Sequence, residues 1–463
     1  MINTMTRVRR PQLSVVQITL IVALGGLLMG YDAATVATSQ IYFTQYFGFT
    51  PSQQGWVISS AGYGCFLGAI SAGYLTSTLS RKYTLILAAL LYIISAVGSG
   101  VADSLNVLVS YRIILGLSIG MIAMTSPMYI AEISPSNIRG KMVTYHQLAM
   151  VVGFILPFLV GFFLFASDSN HFDRFTFGWR LMFWSEIIPA VIFFALLFSI
   201  PHSPRWLMLK SRGHQAQKVL NQLADDHNSA QLEYKLIAKS LTETTIPARK
   251  ILFKKGLGFA LFLGVMLAIF QQATGIVAIL IYSGEIFSQA LGHDPKQALI
   301  PQLWVSVVNL VFTFVAIYKV DSWGRKPLLI LGTSGMLLGL SALALSVYTQ
   351  QAGLVSLMGV LLFVGAYAMS MGPVVWVILS EIFPNNVRSL AMSIAIGAQC
   401  LTSALVTNGF PILHKSHFNS INFNGALTYF LFASVCIVAI LFVWRLVPET
   451  KGKTLEEMEQ LWR

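Results

Sequence analysis

Two adjacent amides, Gln271 and Gln272, lie inside an apolar run that carries no charge from Gly256 to Gly284. If this run is a membrane helix, the bilayer offers the amides no water, so they must face protein or a wet cavity. Gly275, and Gly284 again, would let the helix bend or unwind. A polar, breakable helix inside a membrane indicates a solute pathway.

Asp32 is the only charged residue between Arg10 and Arg81. Burial disfavours an ionised carboxylate and a nearby cation favours it, so the proton affinity of Asp32 should change with its neighbours. Arg112, near the start of a later apolar run, is the expected partner. The pair could couple proton binding to a movement, or it could be a static ion pair that joins two helices.

The composition is that of an integral membrane protein. Of 463 residues, 56% are hydrophobic and 10% are charged, whereas about 25% are charged in soluble domains. The mean hydropathy is +0.71. The net charge of +12 is explained by Lys and Arg in short loops, so we expect no nucleic-acid partner. The three cysteines fall in apolar runs without a CxxC pair, so neither a zinc site nor a disulfide framework is expected.

Charged residues, together with uncharged turns at 49–51 and 350–353, divide the chain into twelve apolar runs, each about the 20 residues that a helical span needs. The expected spans are 17–38, 55–79, 82–103, 106–130, 142–167, 180–200, 257–287, 299–319, two within 327–380, 390–411 and 424–446. Between them, 202–255 is the only long hydrophilic stretch, and its apolar spacing predicts short amphipathic helices. Lys and Arg concentrate in alternate loops, so this stretch and both termini are expected in the cytoplasm.

An internal repeat predicts the architecture. EISPSNIR at 132–139 matches EIFPNNVR at 381–388, and LSRK at 79–82 matches WGRK at 323–326. Both elements recur in the same order on the same side, which indicates a parallel repeat with a solute site between the repeats. The predicted domains are a first six-helix half (1–200), a linker (201–255), a second half (256–447) and a tail (448–463).

The joint order of eight motifs resembles the sugar porter family of the major facilitator superfamily, and in particular bacterial proton-coupled sugar symporters of the xylose type. The motifs are GGLLMGYD (25–32), RIILGLSIG (112–120), PMYIAEISPSNIRGKMV (127–143), SPRWL (203–207), QQATGI (271–276), VDSWGRKPL (320–328), GPVVWVILSEIFPNNVR (372–388) and PETKGKTLEE (448–457). The resemblance covers nearly the whole chain. It implies an all-α fold and transport of a monosaccharide or similar solute with protons, by a monomer in the plasma or bacterial inner membrane, without a cofactor or metal.

The resemblance also assigns candidate residues. It makes Asp32 the protonation site and Arg112 its modulator. The substrate-binding candidates are Gln147, Gln271, Gln272, Asn309, Trp376 and Gln399. Charges at the cytoplasmic ends of the spans are expected to clasp the two halves when the inner mouth is closed; they are Arg81, Glu132, Arg139, Asp321, Arg325, Glu381, Arg388 and Glu449.

Four pocket positions depart from the family pattern, which has asparagine at Val277, tyrosine at Ile281, tryptophan at Cys400 and often glutamine at Phe154. Val277 and Ile281 lie four residues apart, on one helix face. A site that lacks polar partners on one side should accept a ligand that is partly less polar.

The cytoplasmic loops depart from the pattern as well. Ser77 and Ser80 replace an acidic residue and a glycine, and His202 replaces the glutamate of PESPR. The first-half clasp is therefore expected to be weaker, or sensitive to pH through His202. His146, beside Gln147, is interpreted as a packing residue.

Other functions stay open at this stage. A proton-independent facilitator, or a carrier of a polyol or a cyclic organic acid, would fit the same plan. A nutrient sensor is disfavoured because sensors of this plan carry a long signalling tail. An intramembrane enzyme is disfavoured because no HExxH motif occurs and Asp32 is the one acid expected deep in the membrane.

Overall fold

The computed structural model describes residues 13–135, 138–165, 174–223, 227–242, 255–291, 299–350, 353–383 and 387–451. Over these ranges the regular structure is helical, without a strand. The first half contains α1 (Val15–Phe47), α2 (Pro51–Thr78), α3 (Arg81–Val101), α4 (Leu105–Ile133), α5 (Arg139–Phe165), α6 (Trp179–Ser185) and α7 (Ile187–Leu197). A π-helical turn, Arg174–Gly178, leads into α6, and α6 and α7 together form the sixth span.

Three short helices follow in the linker: α8 (Pro204–Leu209), α9 (Gly213–Leu223) and α10 (His227–Thr242). The second half contains α11 (Lys255–Ala273), α12 (Ile276–Leu291), α13 (Leu299–Trp323), α14 (Arg325–Tyr348), α15 (Leu354–Met369), α16 (Met371–Ile382), α17 (Arg388–His414), α18 (His417–Phe423) and α19 (Leu427–Leu446). The face that carries α8–α10 is called the linker side below, and the opposite face the far side.

The described helices provide twelve spans, as predicted. Eleven are long and apolar enough to cross a membrane by themselves, with α11–α12 and α15–α16 each counted as one. The twelfth is α2, whose 28 residues are long enough but rich in glycine and serine. The first span is longer than predicted, because α1 continues through uncharged polar residues until Gly48 ends it in the left-handed conformation (φ 64°).

The predicted break at Gly275 is present. Helix α11 ends at Ala273 and α12 begins at Ile276, and Gly275 between them has φ +85°. A Cβ at this position would lie 2.3 Å from the ring of Phe432, so only glycine fits. The helix runs unbroken through Gly284. A second break, at Ser370 between α15 and α16, was not predicted.

Small residues let α2 and α4 pack at very close range. Gly64 and Gly68 of α2 face backbone carbonyls of α4, and Gly116 and Gly120 of α4 face backbone of α2. A Cβ at Gly116 would lie 2.0 Å from the carbonyl oxygen of Ala61. Such small-xxx-small pairs are typical of membrane helices, where close backbone approach supplies the packing energy. This contact holds α2 at the boundary between the halves.

The two halves meet along α2 and α17. On the linker side, the hydroxyls of Thr76 and Ser389 are 3.1 Å apart. Near the middle of both helices, Cys65 and Cys400 form a disulfide, with their Cα atoms 5.6 Å apart. The sequence indicated no disulfide framework, and this single bond was not predicted. Residues 335 positions apart in sequence leave no spacing pattern; only the pairing of α2 with α17 brings them together.

The linker helices pack on one another. Trp206, Leu207 and Ala216 form one small apolar cluster, and Leu220, Ala230 and Ile237 form a second. Neighbouring linker helices thus cover part of the predicted apolar faces, whereas Leu232 of α10 is 61% exposed.

Candidate functional site

A cavity of about 220 Å³ lies between the two halves. Helices α1, α2, α4 and α5 line one side, and the second half lines the other with residues from α11 to α17. The structure brings every predicted proton-coupling, substrate-binding and altered pocket residue to this cavity: Asp32, Arg112, Gln147, Phe154, Gln271, Gln272, Val277, Ile281, Asn309, Trp376, Gln399 and Cys400. The roles of these residues stay predictions.

Gln271 is occupied by protein partners. Its Nε2 group donates to the carbonyl oxygens of Met371 and Gly372, at 2.9 and 3.0 Å. Its Oε1 accepts a hydrogen bond from Nε2 of Gln399 at 2.6 Å. Gln271 therefore joins α11 to the start of α16 and to α17. Because both N–H groups are used, its contribution to the cavity is to position Gln399 and the break at Ser370.

Three other amides keep an oxygen free. The Oε1 atoms of Gln272 and Gln399 and the Oδ1 atom of Asn309 are buried and have no hydrogen-bond partner among the described residues. All three side chains line the cavity and are at most 8% exposed. A buried acceptor without a donor is costly, so these oxygens are set to accept hydrogen bonds from a bound ligand or from water.

Trp376 adds an aromatic surface to the amide wall. It is 3% exposed, and the ring of His146 packs against it edge to face, with 5.9 Å between the ring centroids. His146 is fully buried and does not line the cavity, and neither of its ring nitrogens has a hydrogen-bond partner among the described residues. Its interpretation as a packing residue stays a prediction. The arrangement fixes the orientation of the indole.

Another part of the cavity lining is apolar. Phe154 and Phe158 of α5 form a buried cluster with α1 alanines, and Leu280 of α12 packs against it from the other half. Val277 and Ile281 line the cavity on the same helix. Three of the four positions at which this chain departs from the family pattern, Phe154, Val277 and Ile281, thus lie on α5 and α12 where these helices approach each other, whereas Cys400 is bonded to Cys65 of α2.

Asp32 and Arg112 form a buried ion pair in which Nη1 of Arg112 donates to Oδ1 of Asp32. Glu186, at the junction of α6 and α7, is 0% exposed, and both charged groups act on it electrostatically. The hydroxyl groups of Thr35 and Tyr92 also act on its carboxyl group, although neither makes a hydrogen bond of standard geometry to it. The site therefore contains two carboxyl groups and one guanidinium.

The expectation that Asp32 is the one acid deep in the membrane was wrong, because Glu186 is also buried inside the helix bundle. The sequence signal was available, because Glu186 is the only acid of the sixth span, at 180–200. Its importance could not be read from the sequence, since only the packing of α7 on α1 and α3 brings it to the Asp32–Arg112 pair.

On the linker side, two equivalent ion pairs occur, one in each half. Arg81 binds Glu132 through Nε and Nη2, at 3.0 and 2.7 Å, and Arg325 binds Glu381 through Nη2 at 3.0 Å. Each arginine also donates to the carbonyl oxygen of the residue five positions before it. This residue is Thr76 for Arg81 and Val320 for Arg325. These pairs stabilise the end of each half and do not bridge the two halves.

Contacts between the halves on the linker side are made by other groups. Arg139 of the first half acts electrostatically on Glu381 of the second, and Ser389 donates to the carbonyl oxygen of Gly73 at 3.1 Å. Arg388 donates to the carbonyl oxygen of Phe383, within its own half. The side chain of Asp321 lies outside the described residues.

The repeat extends to the segments that follow each half. Ser203 donates to Glu132, and Thr450 donates to Glu381 at 2.9 Å. The residues that precede Ser203 and Thr450 differ between the halves. In the second half, Glu449 accepts hydrogen bonds from the backbone N–H groups of Arg325 and Lys326 at 3.0 Å each. In the first half, the equivalent residue is His202.

The pKa values of Glu449 and His202 both differ from the usual values of these side chains. Burial raises the pKa of Glu449, but the backbone N–H donors of Arg325, Lys451 and Lys326 outweigh it and hold the pKa below its usual value. Burial, together with the charges of Lys82 and Arg212, lowers the pKa of His202. His202 lies with Nδ1 3.2 Å from the hydroxyl of Ser80 and its ring stacked on Trp206.

Two six-helix halves around a buried cavity, with amides on one wall and an ion cluster at its edge, define a secondary transporter of the major facilitator type. The family described as "Sugar (and other) transporter" matches residues 18–462. The chain belongs to this family, within the sugar porters of the major facilitator superfamily, as the sequence motifs predicted.

Two relatives and one solved structure show the extent of the similarity. The D-xylose-proton symporter of Escherichia coli (strain K12) is 39% identical, over 96% of this chain and 95% of its own. The glucose facilitated diffusion protein of Zymomonas mobilis is 33% identical, over 97% and 98%. The structure of a major facilitator superfamily proton:xylose symporter bound to 6-bromo-6-deoxy-D-glucose is 38% identical, covers 97% of this chain and 99% of that one, and has a TM-score of 0.88. The predicted twelve-helix fold is confirmed.

Proposed function

We propose that this protein is a secondary active transporter that moves a monosaccharide together with protons across a cell membrane. The observation that carries the proposal is that Asp32, paired with Arg112, lines the same cavity as the amides Gln272, Asn309 and Gln399. A proton site and a solute site that share one cavity can affect each other directly. Relatives of this chain are named as proton symporters for xylose, arabinose and galactose.

The ion cluster is suited to binding and releasing one proton. With both acids ionised, Asp32, Glu186 and Arg112 carry a net charge of −1 in a buried site (two negative charges, one positive). Binding one proton removes that excess, and a buried site favours neutrality. Access of water to the cavity would then determine when the proton is taken up and when it is released.

The solute wall is suited to hydroxyl groups. Three unpaired amide oxygens accept from O–H donors, Gln147 adds a fourth amide from the first half, and Trp376 offers a ring for the apolar face of a sugar. The cavity is smaller than the roughly 300–1,000 Å³ of drug-sized pockets, which suits one sugar ring.

Transport would proceed by alternating access of this cavity with Cys65 and Cys400 reduced, because a disulfide between α2 and α17 would hold the halves together at the cavity. The transport assays below are therefore run with a reductant. We take the two halves, 1–200 and 256–447, as the moving bodies, joined by 201–255 and followed by the tail 448–463. The linker side is taken as cytoplasmic, because Lys and Arg concentrate there, which places both termini inside. The protein would act as a monomer in the lipid bilayer.

A facilitator is the second candidate, because the Zymomonas mobilis relative is named as a facilitated diffusion protein. In that case the Asp32–Arg112 pair would only join α1 to α4. The two candidates differ in proton movement and not in sugar movement, so a measurement of proton flux separates them.

The test uses proteoliposomes that contain a pH-sensitive dye and have no pH gradient at the start. Adding D-xylose, L-arabinose, D-glucose, D-galactose, 6-deoxy-D-glucose or 6-deoxy-D-galactose outside should acidify the lumen with at least one sugar, and Asp32→Asn should abolish the signal. Uptake of a radiolabelled sugar without acidification would establish a facilitator. Folded protein that takes up no sugar of the panel would overturn the monosaccharide assignment.

A further inference from the structure

The chemistry of the cavity walls narrows the class of sugar that this site would hold. On one wall the oxygens of Gln272, Asn309 and Gln399 have no partner within the described parts of the chain. A second part of the lining, which consists of Phe154, Val277 and Ile281, presents hydrocarbon, and Leu280, which lies between Val277 and Ile281 on α12, packs on the Phe154 cluster. A ligand that satisfies both walls must carry hydroxyls along one edge and an apolar group on the other.

The apolar wall is held in place on both sides of the boundary between the halves. Nε2 of Gln40, in α1, donates to the carbonyl oxygen of Ile281 at 2.8 Å, which ties α12 to the first half. Leu280 packs on the cluster of Phe154 and Phe158. A ligand group at this wall would therefore meet packed side chains.

Each common type of monosaccharide leaves a defect at such a wall. The hydroxymethyl group of a hexose would place a hydroxyl against Val277 and Ile281, where it loses water without gaining a partner from the lining residues. The unpaired Oε1 atom of Gln40, beside Ile281, does not line the cavity. A pentose pyranose has no exocyclic carbon, so it leaves a gap at the apolar wall and forfeits dispersion contacts. A 6-deoxyhexose has a methyl group at that position, which fills the gap without a polar atom.

We infer that the preferred substrate is a 6-deoxyhexose, oriented with its ring hydroxyls toward Gln272, Asn309 and Gln399 and its C6 methyl toward Phe154, Val277 and Ile281. This inference rests on the proposed sugar transport and specifies its substrate class. In this orientation Ile281 and Val277 are specificity-determining residues, because each would lie beside C6 and neither offers a partner to a C6 hydroxyl.

Two matched sugar series test the assignment by isothermal titration of the purified full-length protein. One is D-xylose, D-glucose and 6-deoxy-D-glucose; the other is L-arabinose, D-galactose and 6-deoxy-D-galactose. Within each series only the substituent at C5 changes, from hydrogen to hydroxymethyl to methyl. The expected result is that, in at least one series, the 6-deoxyhexose binds about tenfold more tightly than both other members.

Substitutions at the apolar wall then identify its contribution. Ile281→Tyr should reverse the preference within the series, so that the hydroxymethyl sugar binds at least as tightly as its deoxy counterpart. Ile281→Phe is the matched control, which adds the ring without the hydroxyl and should keep the deoxy preference. The same test is made one helical turn away, at Val277. Val277→Asn adds a polar group and should favour the hydroxymethyl sugar, whereas the apolar control Val277→Leu should keep the preference for the deoxy sugar.

The outcomes are distinguishable. If the pentose or the hydroxymethyl hexose of both series binds as tightly as the 6-deoxyhexose in the unsubstituted protein, the inference is overturned while sugar transport stands. If Ile281→Tyr and Ile281→Phe change the ratio equally, Ile281 does not face C6 and the assigned orientation is wrong. If thermally stable protein binds no sugar of either series, the proposed function falls, and the inference with it.

Discussion

Ser80 and Gly324 occupy equivalent places immediately before α3 and α14, and they adopt the same backbone conformation. Ser80 has φ 105° and ψ 159°, and Gly324 has φ 93° and ψ 164°. This region is essentially restricted to glycine, because a Cβ is strained there. The repeat thus imposes a glycine geometry on a serine in the first half.

Replacing Ser80 with glycine should stabilise the protein. Relief of the strain is worth about 1–3 kcal/mol, and a serine helix cap exchanged for glycine costs only a few tenths. The thermal midpoint of Ser80→Gly in detergent should therefore rise by a few degrees. The reciprocal Gly324→Ser should lower it, since the added Cβ would also lie 2.6 Å from Oε2 of Glu449. An unchanged or lower midpoint for Ser80→Gly would show that the Ser80 hydroxyl contributes more than the strain costs.

His202 predicts a pH dependence on the linker side. Because its pKa is lowered in the folded protein, the unfolded chain binds more protons at mildly acidic pH. The stability that the neutral ring contributes is fully present above the unfolded pKa of about 6.5 and is lost as the pH falls below it. The thermal midpoint measured from pH 8 to pH 5 should decline less in His202→Gln than in the parent protein. If the thermal midpoints of the two proteins decline in parallel as the pH falls, His202 is not the source of the pH dependence of stability.

Gln271 and Gln272 should respond differently to the same substitution. Gln271→Leu leaves the carbonyls of Met371 and Gly372 and the amide of Gln399 without their partner. We expect a loss of about 1–3 kcal/mol, visible as a lower thermal midpoint. Gln272→Leu removes an oxygen that is unpaired in the free protein, so it should weaken sugar binding about tenfold and leave the midpoint nearly unchanged. If Gln271→Leu and Gln272→Leu lower the thermal midpoint equally, the two glutamines do not differ in the way proposed.

The Cys65–Cys400 disulfide predicts a covalent connection between the halves. With a protease site inserted between Thr242 and Lys255, the cleaved protein should run as one band on a non-reducing denaturing gel and as two bands after reduction. Cys65→Ser should give two bands in both conditions, and Cys436→Ser, which removes the free cysteine, should behave like the parent. Two bands from the parent protein without reductant would show that the thiols are not joined.

Features governed by local chemistry could be predicted from the sequence. The alternation of charge and apolar runs gave twelve spans, and the glycine after two amides marked the break at Gly275. The end of α1 could not be predicted in this way, because uncharged polar residues continue a helix as well as apolar ones, and the stop depends on the left-handed Gly48.

Features governed by contacts between distant spans could not be predicted. The location of Glu186 beside Asp32, the pairing of Cys65 with Cys400 and the engagement of Gln271 by α16 all depend on which helices pack together. Family positions predicted the set of residues at the cavity, but they did not show that one amide is satisfied by protein while its neighbour is free.

The central claim, that sugar movement is coupled to protons at Asp32, is tested most directly by accumulation in proteoliposomes. An inward proton gradient is imposed, and the luminal concentration of the tightest-binding sugar is compared with the external one. We predict accumulation above the external concentration for the parent protein. Asp32→Asn should reach only equal concentrations while it still exchanges labelled for unlabelled sugar. Full accumulation by Asp32→Asn, or parent uptake that is indifferent to the gradient, would contradict proton coupling at this residue.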